Sequence, residues 1–488
     1  PFFERTNRMS YIDLSQKDPT AGNRPGLLTF KNRPTSTYFG QLGPRLGVAY
    51  QVNDKMVVRM GYAMMNTPPL TNNWGYGGFT TGYNAGITVA AGSSPTGFAQ
   101  DPAMYLSQAF PSLGYNLPVT DPASGHFNAS QTVAPDSNRP GYTQNWNLTV
   151  QYQLPKATII ELAYVGNKGT RMWGFGQLNQ SPASLLSMGD TLLEPVSSFP
   201  QYSPYSGFPT DQTVAQAKLP YPQFYAVNDF YAYNAGSNYN SLQVTATKHL
   251  TSGLGFLAAY TWSKTMGYQD SLGAMGYGTP QDYYNRKLER SVATFNMPHT
   301  FKLTWSYDLP IGKGKKADLG FANYILGGWQ FAAIHGYSSG SPVAVYSSGL
   351  NTPSGFGNIR PDVISGKEVS LGGVPSKTDW SEPVQWMNPA AFANVPTTGN
   401  GVPKRVGTAP RNLDYLYGPK MLSETFRMSK AFPFLQERAK FKVGMSMDNP
   451  FKRTRPYITD QTVGNSGFGQ MLLGGAGRTM QLDARIDF

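Results

Sequence analysis

The sequence of 488 residues contains no cysteine, only four histidines and few charges. Without cysteine it can hold no disulfide framework, no thiol nucleophile and no thiolate-bound zinc or iron–sulfur centre. Charged residues make up 14% of the chain, whereas an ordinary soluble domain carries roughly a quarter. No run of about 18 apolar residues occurs, so we predict no transmembrane helix.

Known catalytic and cofactor-binding motifs are also missing. The histidines, His126, His249, His299 and His335, lie far apart and form no H-E-x-x-H motif, so the sequence predicts no metal site. Residues 312–316 are rich in glycine and lysine but lack the spacing of a Walker A loop, and no G-x-S-x-G elbow is found. We therefore expect no catalytic residue and no cofactor.

What the chain does contain is glycine, proline and tyrosine, with 53, 38 and 30 residues respectively. Glycine and proline break long helices and suit strands joined by turns. The net charge is +12, yet acidic residues outnumber basic ones between 66 and 247, and much of the excess lies at short turns such as Lys313, Lys315 and Lys316. A nucleic-acid binder would gather its charge on one patch, so we expect no nucleic-acid partner.

Apolar and polar residues alternate along several segments. Phe301, Leu303, Trp305 and Tyr307 alternate with lysine, threonine and serine. This period of two predicts β-strands, because successive side chains in a strand point to opposite faces. The same pattern occurs in residues 146–154, 256–262, 441–447 and 480–488.

Short turns alternate with long connections between these strands. Asn, Asp, Gly and Pro supply the backbone angles for tight hairpins near residues 53–55, 155–156, 251–253, 311–316 and 432–434. The long loops are expected at about 66–141, 166–239, 264–298, 347–420 and 449–478. All long loops then lie at one end, which is typical of a transmembrane β-barrel with short periplasmic turns and long extracellular loops. We predict an all-β fold, an antiparallel outer-membrane β-barrel.

Aromatic residues often stand near the ends of the predicted strands. Rings that combine an apolar body with a polar tip favour the boundary between membrane and water, although aromatics are also good strand residues. We predict membrane-interface positions for Trp146, Tyr164, Trp262, Tyr307 and Trp329.

A set of motifs in a fixed order supports a more specific hypothesis. The segment Gly43-Pro44-Arg45-Leu46-Gly47-Val48-Ala49-Tyr50 resembles a hairpin entry of TonB-dependent receptors, closest to the Oar-like group. Further similar segments are residues 144–148, 163–170, 239–244, 260–264, 298–301, 308–315, 326–330 and 386–392. Together they cover roughly residues 30 to 488.

The resemblance implies the barrel of an energy-coupled outer-membrane transporter of a Gram-negative-type bacterium. Its expected partners are outer-membrane lipid, the barrel-assembly machinery, the energy-coupling TonB complex and a surface lipoprotein. An aromatic C-terminal residue such as Phe488 resembles the family's assembly signal. No plug domain or energy-coupling box is recognisable, so residues 1–488 are expected to be a barrel portion of a longer protein, without its first strands.

Ligand contacts are expected from the long loops. Rings among amide and hydroxyl side chains suit sugars, peptides or other amphipathic ligands, although such rings also pack loops together. The candidate ligand-binding residues are Trp74, Tyr76, Tyr83, Tyr202, Tyr205, Tyr225 and Phe230. The leading hypothesis is ligand capture and import through a plug. The alternative is a structural or adhesive barrel that binds partners through its loops, and an enzyme using His299 or His335 ranks third.

Overall fold

In the computed structural model, the chain is described at residues 5–33, 36–67, 105, 107, 119–133, 139–229, 232–270, 279–372, 382–434, 439–475 and 477–487. The strands in this part are β1 Met9–Asp18, β2 Arg24–Lys31, β3 Arg45–Asn53, β4 Met56–Asn66, β5 Ala129–Thr132, β6 Tyr142–Leu154, β7 Thr158–Met172, β8 Ala226–Asp229, β9 Ala235–Thr251, β10 Leu254–Gly267, β11 Ser291–Val292, β12 His299–Asp308, β13 Trp329–Ser338, β14 Asp362–Val363, β15 Val384–Gln385, β16 Phe392–Ala393, β17 Met421–Phe434, β18 Ala439–Asp448, β19 Arg455–Ile458, β20 Gln470–Gly474 and β21 Thr479–Asp487.

Helices are short. Among the described residues, the two α-helices are α1 Val214–Ala217 and α2 Asn323–Leu326. Turns of 3₁₀-helix occur at Pro19–Ala21, Pro122–Gly125, Ala183–Leu192, Val196–Ser198, Pro200–Tyr202, Tyr283–Glu289, Gly320–Ala322 and Pro389–Ala391. Within the described ranges, no helix has the length and apolarity needed to cross a membrane.

One large antiparallel sheet dominates the structure, as predicted. Its strands follow the order β21-β18-β17-β13-β12-β10-β9-β7-β6-β4-β3, and β11 pairs with β10. The sequence is thus laid out as a meander, in which each long strand pairs with the next one along the chain. Among the described residues, no strand pairs with the outer edge of β3 or of β21.

The two faces of the sheet differ in polarity, as the alternation predicted. Residues in register across neighbouring strands lie on the same face, and one such row runs from Val48 through Met60, Leu148, Tyr164 and Leu242 to Trp262. Most of these large apolar side chains are exposed. A row on the opposite face contains Arg59, Thr149, Gln243 and Thr261. An exposed apolar face backed by a polar one is the pattern of a membrane barrel wall.

The connections at the two ends of the sheet also differ. At the turn end, residues 54–55, 155–157 and 252–253 link adjacent strands directly. Ser252 and Gly253 both have positive φ, 54° and 82°, as a two-residue hairpin turn of type I′ requires. The connections at the opposite, loop end are residues 67–141, 173–234, 268–298, 339–420 and 449–478.

The loop-end connections, together with the segment before β3, contain sheets of their own, which the period-two pattern did not predict. Strands β2, β1, β5 and β8 form a four-stranded sheet, in which β1–β5 and β5–β8 are parallel pairs. Strands β15, β20 and β19 form a second sheet, and β14 pairs with β16. A core around Trp386, Met387 and Phe392 joins the 339–420 and 449–478 connections. These connections therefore form a packed layer above the loop end of the main sheet.

Candidate functional site

A cavity of about 770 Å³ lies in this packed layer, between the connections 268–298 and 339–420. Its apolar wall includes Val345, Leu350 and Ile359. Its polar wall is formed by Asp270, Glu289, Ser347, Arg360, Arg411 and Asn412. This concentration of charge stands out in a chain with so few charged residues.

An ion pair between Arg360 and Glu289 fixes one side of the cavity. The two side chains are almost buried, with 12% and 3% of their surface exposed. Nη1 of Arg360 lies 2.9 Å from both carboxylate oxygens of Glu289, while Nη2 donates to the carbonyl of Leu288 and Nε to that of Ala409. Because every nitrogen of the guanidinium has an acceptor, Arg360 acts as a clamp between the two connections.

A second ion pair, between Arg411 and Asp270, lies beside the first. Nε of Arg411 donates to the carbonyl of Glu289 at 3.3 Å, and Nη2 donates to that of Gly267 at 3.1 Å. Asn412 donates to Oδ2 of Asp270 at 2.9 Å and to the carbonyl of Val292 at 2.8 Å. These bonds hold the Asp270 carboxylate at the end of β10, facing the cavity.

Two oxygen atoms in the cavity wall are buried without a hydrogen-bond partner among the described residues. They are Oδ1 of Asp270 and Oγ of Ser347. A buried oxygen without a partner costs free energy, whereas a hydroxyl or amino group of a ligand would satisfy it. A ligand that donates hydrogen bonds would satisfy them after a shift of the cavity wall, because both oxygens are buried in the present arrangement.

Two glycines allow the connections to approach closely around the cavity. A side chain at Gly357 would lie 1.8 Å from the carbonyl oxygen of Pro280, and one at Gly355 would lie 2.2 Å from a methyl group of Leu219. Gly355 also has a φ of 81°, which favours glycine. The segment 354–357 can thus pack flat against two other connections.

The loop aromatics predicted as ligand contacts lie away from this cavity or outside the described residues. Trp74, Tyr76, Tyr83 and Phe230 belong to the second group. Tyr202 stacks on Phe199 with ring centres 6.0 Å apart, and Nζ of Lys218 lies 4.3 Å from the Tyr202 ring.

The other two candidates also lie in the connection 173–234. The Tyr205 ring contacts Phe208 edge-on at 5.4 Å, and burial raises the pKa of its phenol. Tyr225 is exposed and contacts Phe127. None of the three lines the cavity. Sequence reasoning overlooked the cavity residues, because Asp270, Glu289, Arg360 and Arg411 lie far apart along the chain among other charged loop residues.

The aromatics predicted at the membrane interface all lie on the apolar face. Trp146 and Trp262 stand towards the loop end, Tyr164 stands on the same row as Trp262, and Tyr307 and Trp329 stand at the turn end. Contact of these side chains with lipid stays a prediction. Phe488, the predicted assembly signal, lies outside the described residues.

The described ranges contain no group of three or more His, Asp or Glu residues that could hold a metal ion. The site is a polar cavity above a sheet with one apolar and one polar face. Such a sheet defines an outer-membrane β-barrel, with the apolar face towards lipid.

The sequence comparison gives the family. The chain belongs to the outer membrane beta barrel domain family, whose model matches residues 1–481. This membership assigns the chain to the outer membrane. A search of curated proteins finds no match.

Several solved structures match the chain at low similarity. The outer-membrane transporter YddB from Escherichia coli has a TM-score of 0.40 and 10% identity, over 88% of this chain and 38% of that one. The ferripyoverdine receptor of Pseudomonas aeruginosa has a TM-score of 0.38 and 10% identity, over 95% of this chain and 35% of that one. The FrpB iron transporter from Neisseria meningitidis has a TM-score of 0.38 and 9% identity, over 92% of this chain and 39% of that one. The chain therefore spans less than two fifths of the length of these structures.

Proposed function

We propose that this chain is the barrel part of a TonB-dependent outer-membrane transporter of the Oar-like group. In this proposal the loop-end layer captures a ligand, and a plug movement, driven by energy coupling, passes it inward. The observation that carries the proposal is the cavity with its unpartnered Asp270 and Ser347 oxygens at the loop end. The ordered motifs between residues 43 and 392 support the family assignment.

The polar face of the sheet supports a path below the cavity. Arg59 donates to Gln151 at 2.6 Å, and Arg427 makes two parallel bonds to Asp483 at 2.7 and 2.8 Å. Hydrogen-bonded polar and charged side chains of this kind are compatible with a hydrated barrel interior. A plug inside the barrel would meet hydrogen-bonding groups on all of these strands.

In the part of the chain that the structure describes, the outer edges of β3 and β21 have no partner strand, which supports further strands beside them. Unpaired N–H and C=O groups have no partner in lipid, so a membrane sheet must close on itself. We therefore propose that additional strands join β3 to β21, and that a separate segment supplies the plug and the energy-coupling box. The barrel-assembly machinery, the TonB complex and a surface lipoprotein remain the proposed partners.

The ligand class follows from the cavity chemistry. The free oxygens accept hydrogen bonds, and Val345, Leu350 and Ile359 supply apolar contact. A short peptide or an oligosaccharide combines amino or hydroxyl donors with such apolar surface. The loop aromatics Tyr202, Tyr205 and Tyr225 are proposed as a first contact outside the cavity.

The test is uptake by cells that carry the protein in the outer membrane. Panels of fluorescent short peptides and fluorescent oligosaccharides are offered with and without a protonophore. A transporter accumulates a probe only in energised cells, whereas an adhesive barrel binds it equally in both states and an enzyme releases cleaved probe. Uptake that is equal in cells with and without the protein overturns the proposal.

Ser347→Ala tests the cavity itself. Its hydroxyl has no partner in the described part of the chain, so the variant should fold normally, and we expect about fivefold weaker probe binding for one lost hydrogen bond. Asp211→Asn, at an exposed loop position outside the cavity, is the matched control. If both variants bind like the wild type, the cavity is not the ligand site.

A further inference from the structure

The connection between β12 and β13 differs from the other turn-end connections that the structure describes. Those at 54–55, 155–157 and 252–253 have two or three residues, whereas residues 309–328 fold into a small projection with a 3₁₀ turn and helix α2. We refer to residues 309–328 as the foot. A longer connection at this end requires a reason, because two residues suffice to reverse a hairpin.

Large apolar side chains of the foot point away from the protein. Phe321, Tyr324 and Ile325 are 83%, 73% and 68% exposed, and Leu326 is also exposed. The rings of Phe321 and Tyr324 lie 5.7 Å apart, so they form one patch. A cluster of this kind in water would be unfavourable, which indicates contact with an apolar phase.

Hydrogen bonds fix the foot to the lipid-facing side of the barrel wall. Nε1 of Trp329 donates to the carbonyl of Ile325 at 2.9 Å. Nζ of Lys430 donates to the carbonyls of Ile325 and Gly327 at 2.9 and 2.6 Å, which caps the C-terminus of α2. Trp329 and Lys430 are paired in register on the apolar face. The exposed patch of the foot is therefore continuous with the surface that meets lipid.

The foot is also basic. Lys313, Lys315 and Lys316 are exposed, and within the described residues none of them forms an ion pair. The one acidic residue of residues 309–328 is Asp318. Its carboxylate accepts hydrogen bonds from Asn323 and from the backbone of Gly320, so it does not neutralise the lysines by pairing. Three ammonium groups thus belong to the same short connection as the aromatic patch, and that of Lys315 also donates to the carbonyl of Leu309 at 3.1 Å.

We propose that the foot is a membrane-interface anchor that binds anionic phospholipid in the periplasmic leaflet. Phe321, Tyr324 and Ile325 insert at the boundary between headgroups and acyl chains, where amphipathic segments bind. Lys313, Lys315 and Lys316 contact the phosphate groups, since a basic segment beside a membrane attracts anionic lipid. This binding is separate from any transport function, and it would hold the turn end of β12 and β13 at a fixed depth.

Insertion depth is tested with a single fluorescent label. The chain has no cysteine, so Ile325→Cys carries one environment-sensitive dye after purification from outer membranes. Asp54→Cys, in the tight turn between β3 and β4 at the same end, is the matched control. In vesicles of phosphatidylethanolamine and phosphatidylglycerol, we expect severalfold weaker quenching by iodide at 325 than at 54. Equal quenching overturns the proposal, and Tyr324→Cys replaces Ile325→Cys if the latter fails the heat-modifiable gel test of folding.

Lipid selection is tested by replacing the lysines. We compare Lys313→Gln/Lys315→Gln/Lys316→Gln with Lys367→Gln/Lys404→Gln/Lys420→Gln, which makes the same charge change at exposed loop-end positions. The ratio of retained phosphatidylglycerol to phosphatidylethanolamine is measured by native mass spectrometry. We expect this ratio to fall about fivefold or more in the foot variant, because one lysine at an anionic surface contributes a factor of about that size. The control variant should keep the wild-type ratio. A foot variant that keeps the ratio, or an equal loss in both variants, overturns the proposal.

Discussion

The indole of Trp146 on β6 lies directly over the backbone of Gly166, its register partner on β7. A Cβ atom at position 166 would stand 2.3 Å from two atoms of the indole, well inside contact distance. Both residues belong to the apolar face of the main sheet, and the ring covers the stretch of β7 that has no side chain there. Pairing of an aromatic with a cross-strand glycine stabilises a sheet at a point that glycine alone would weaken.

Gly166→Ala is therefore expected to displace the Trp146 indole. Because the indole must leave its cross-strand contact with residue 166, we expect a loss of up to about 1 kcal/mol in the free energy of unfolding, the scale of one cross-strand pair. Urea titration with heat-modifiable gel migration measures it. Gly47→Ala is the control, since nothing lies within 4 Å of a Cβ atom at that strand position. Equal stability of the two variants would contradict the role assigned to Gly166.

Arg360 and Glu289 provide a second prediction. Glu289→Gln leaves the guanidinium almost buried without its counter-charge, and breaking such a pair costs about 3–5 kcal/mol. We expect faster amide hydrogen exchange in residues 279–296 and 353–362, with the main sheet unaffected. Lys264→Gln is the control, because the Lys264–Asp414 pair is about half exposed and is worth at most about 1 kcal/mol. If Glu289→Gln exchanges as slowly as Lys264→Gln, the ion pair does not clamp the loops.

The pair of Asp362 and Arg405 predicts an effect of pH on the same layer. Two hydrogen bonds from the Arg405 guanidinium hold the pKa of Asp362 below its ordinary value, which is about 3.9 in an unfolded chain. The contribution of this ion pair to the stability of the layer is then fully present at a pH above that ordinary value. It is lost as the pH falls through the lower pKa of Asp362 in the folded state. Because Arg405 is half exposed, we expect no more than about 1 kcal/mol.

Limited proteolysis of residues 339–420 between pH 6 and pH 3 measures this loss in the wild type. Asp362→Asn cannot titrate at this position, so it should be cut somewhat faster at pH 6 and should show a smaller acid dependence. A variant with the full acid dependence of the wild type would assign the effect to another carboxylate.

The barrel wall could be predicted from the sequence, and the site could not. Alternation along Phe301, Leu303 and Trp305 depends only on the period of a strand, and the turn at Ser252-Gly253 depends on its own two residues. The cavity depends on contacts between distant segments, since 141 residues separate Arg411 from Asp270. The parallel pair of β1 and β5 likewise joins Ile12 to Thr132 across 120 residues. Local periodicity carries no information on such pairings.

The polar face offers the last prediction. The Arg427 guanidinium on β17 reaches across β18 to Asp483 on β21, and Gly444 lies beneath it. A Cβ atom at Gly444 would stand 2.5 Å from Nη2 of Arg427 and 2.8 Å from Oδ1 of Asp483. Gly444→Ala should therefore push the two groups apart and cost about 1 kcal/mol, the scale of a partly exposed charged pair.

A double-mutant cycle separates this effect from a general change in β18. Gly444→Ala, Asp483→Asn and the double variant are compared by urea titration in the same detergent. If the methyl group acts through the ion pair, it costs little once Asp483 is uncharged, and the coupling is about 0.5 kcal/mol or more. Additive losses would mean that Gly444 serves the backbone of the strand and that the Arg427–Asp483 bridge is independent of it.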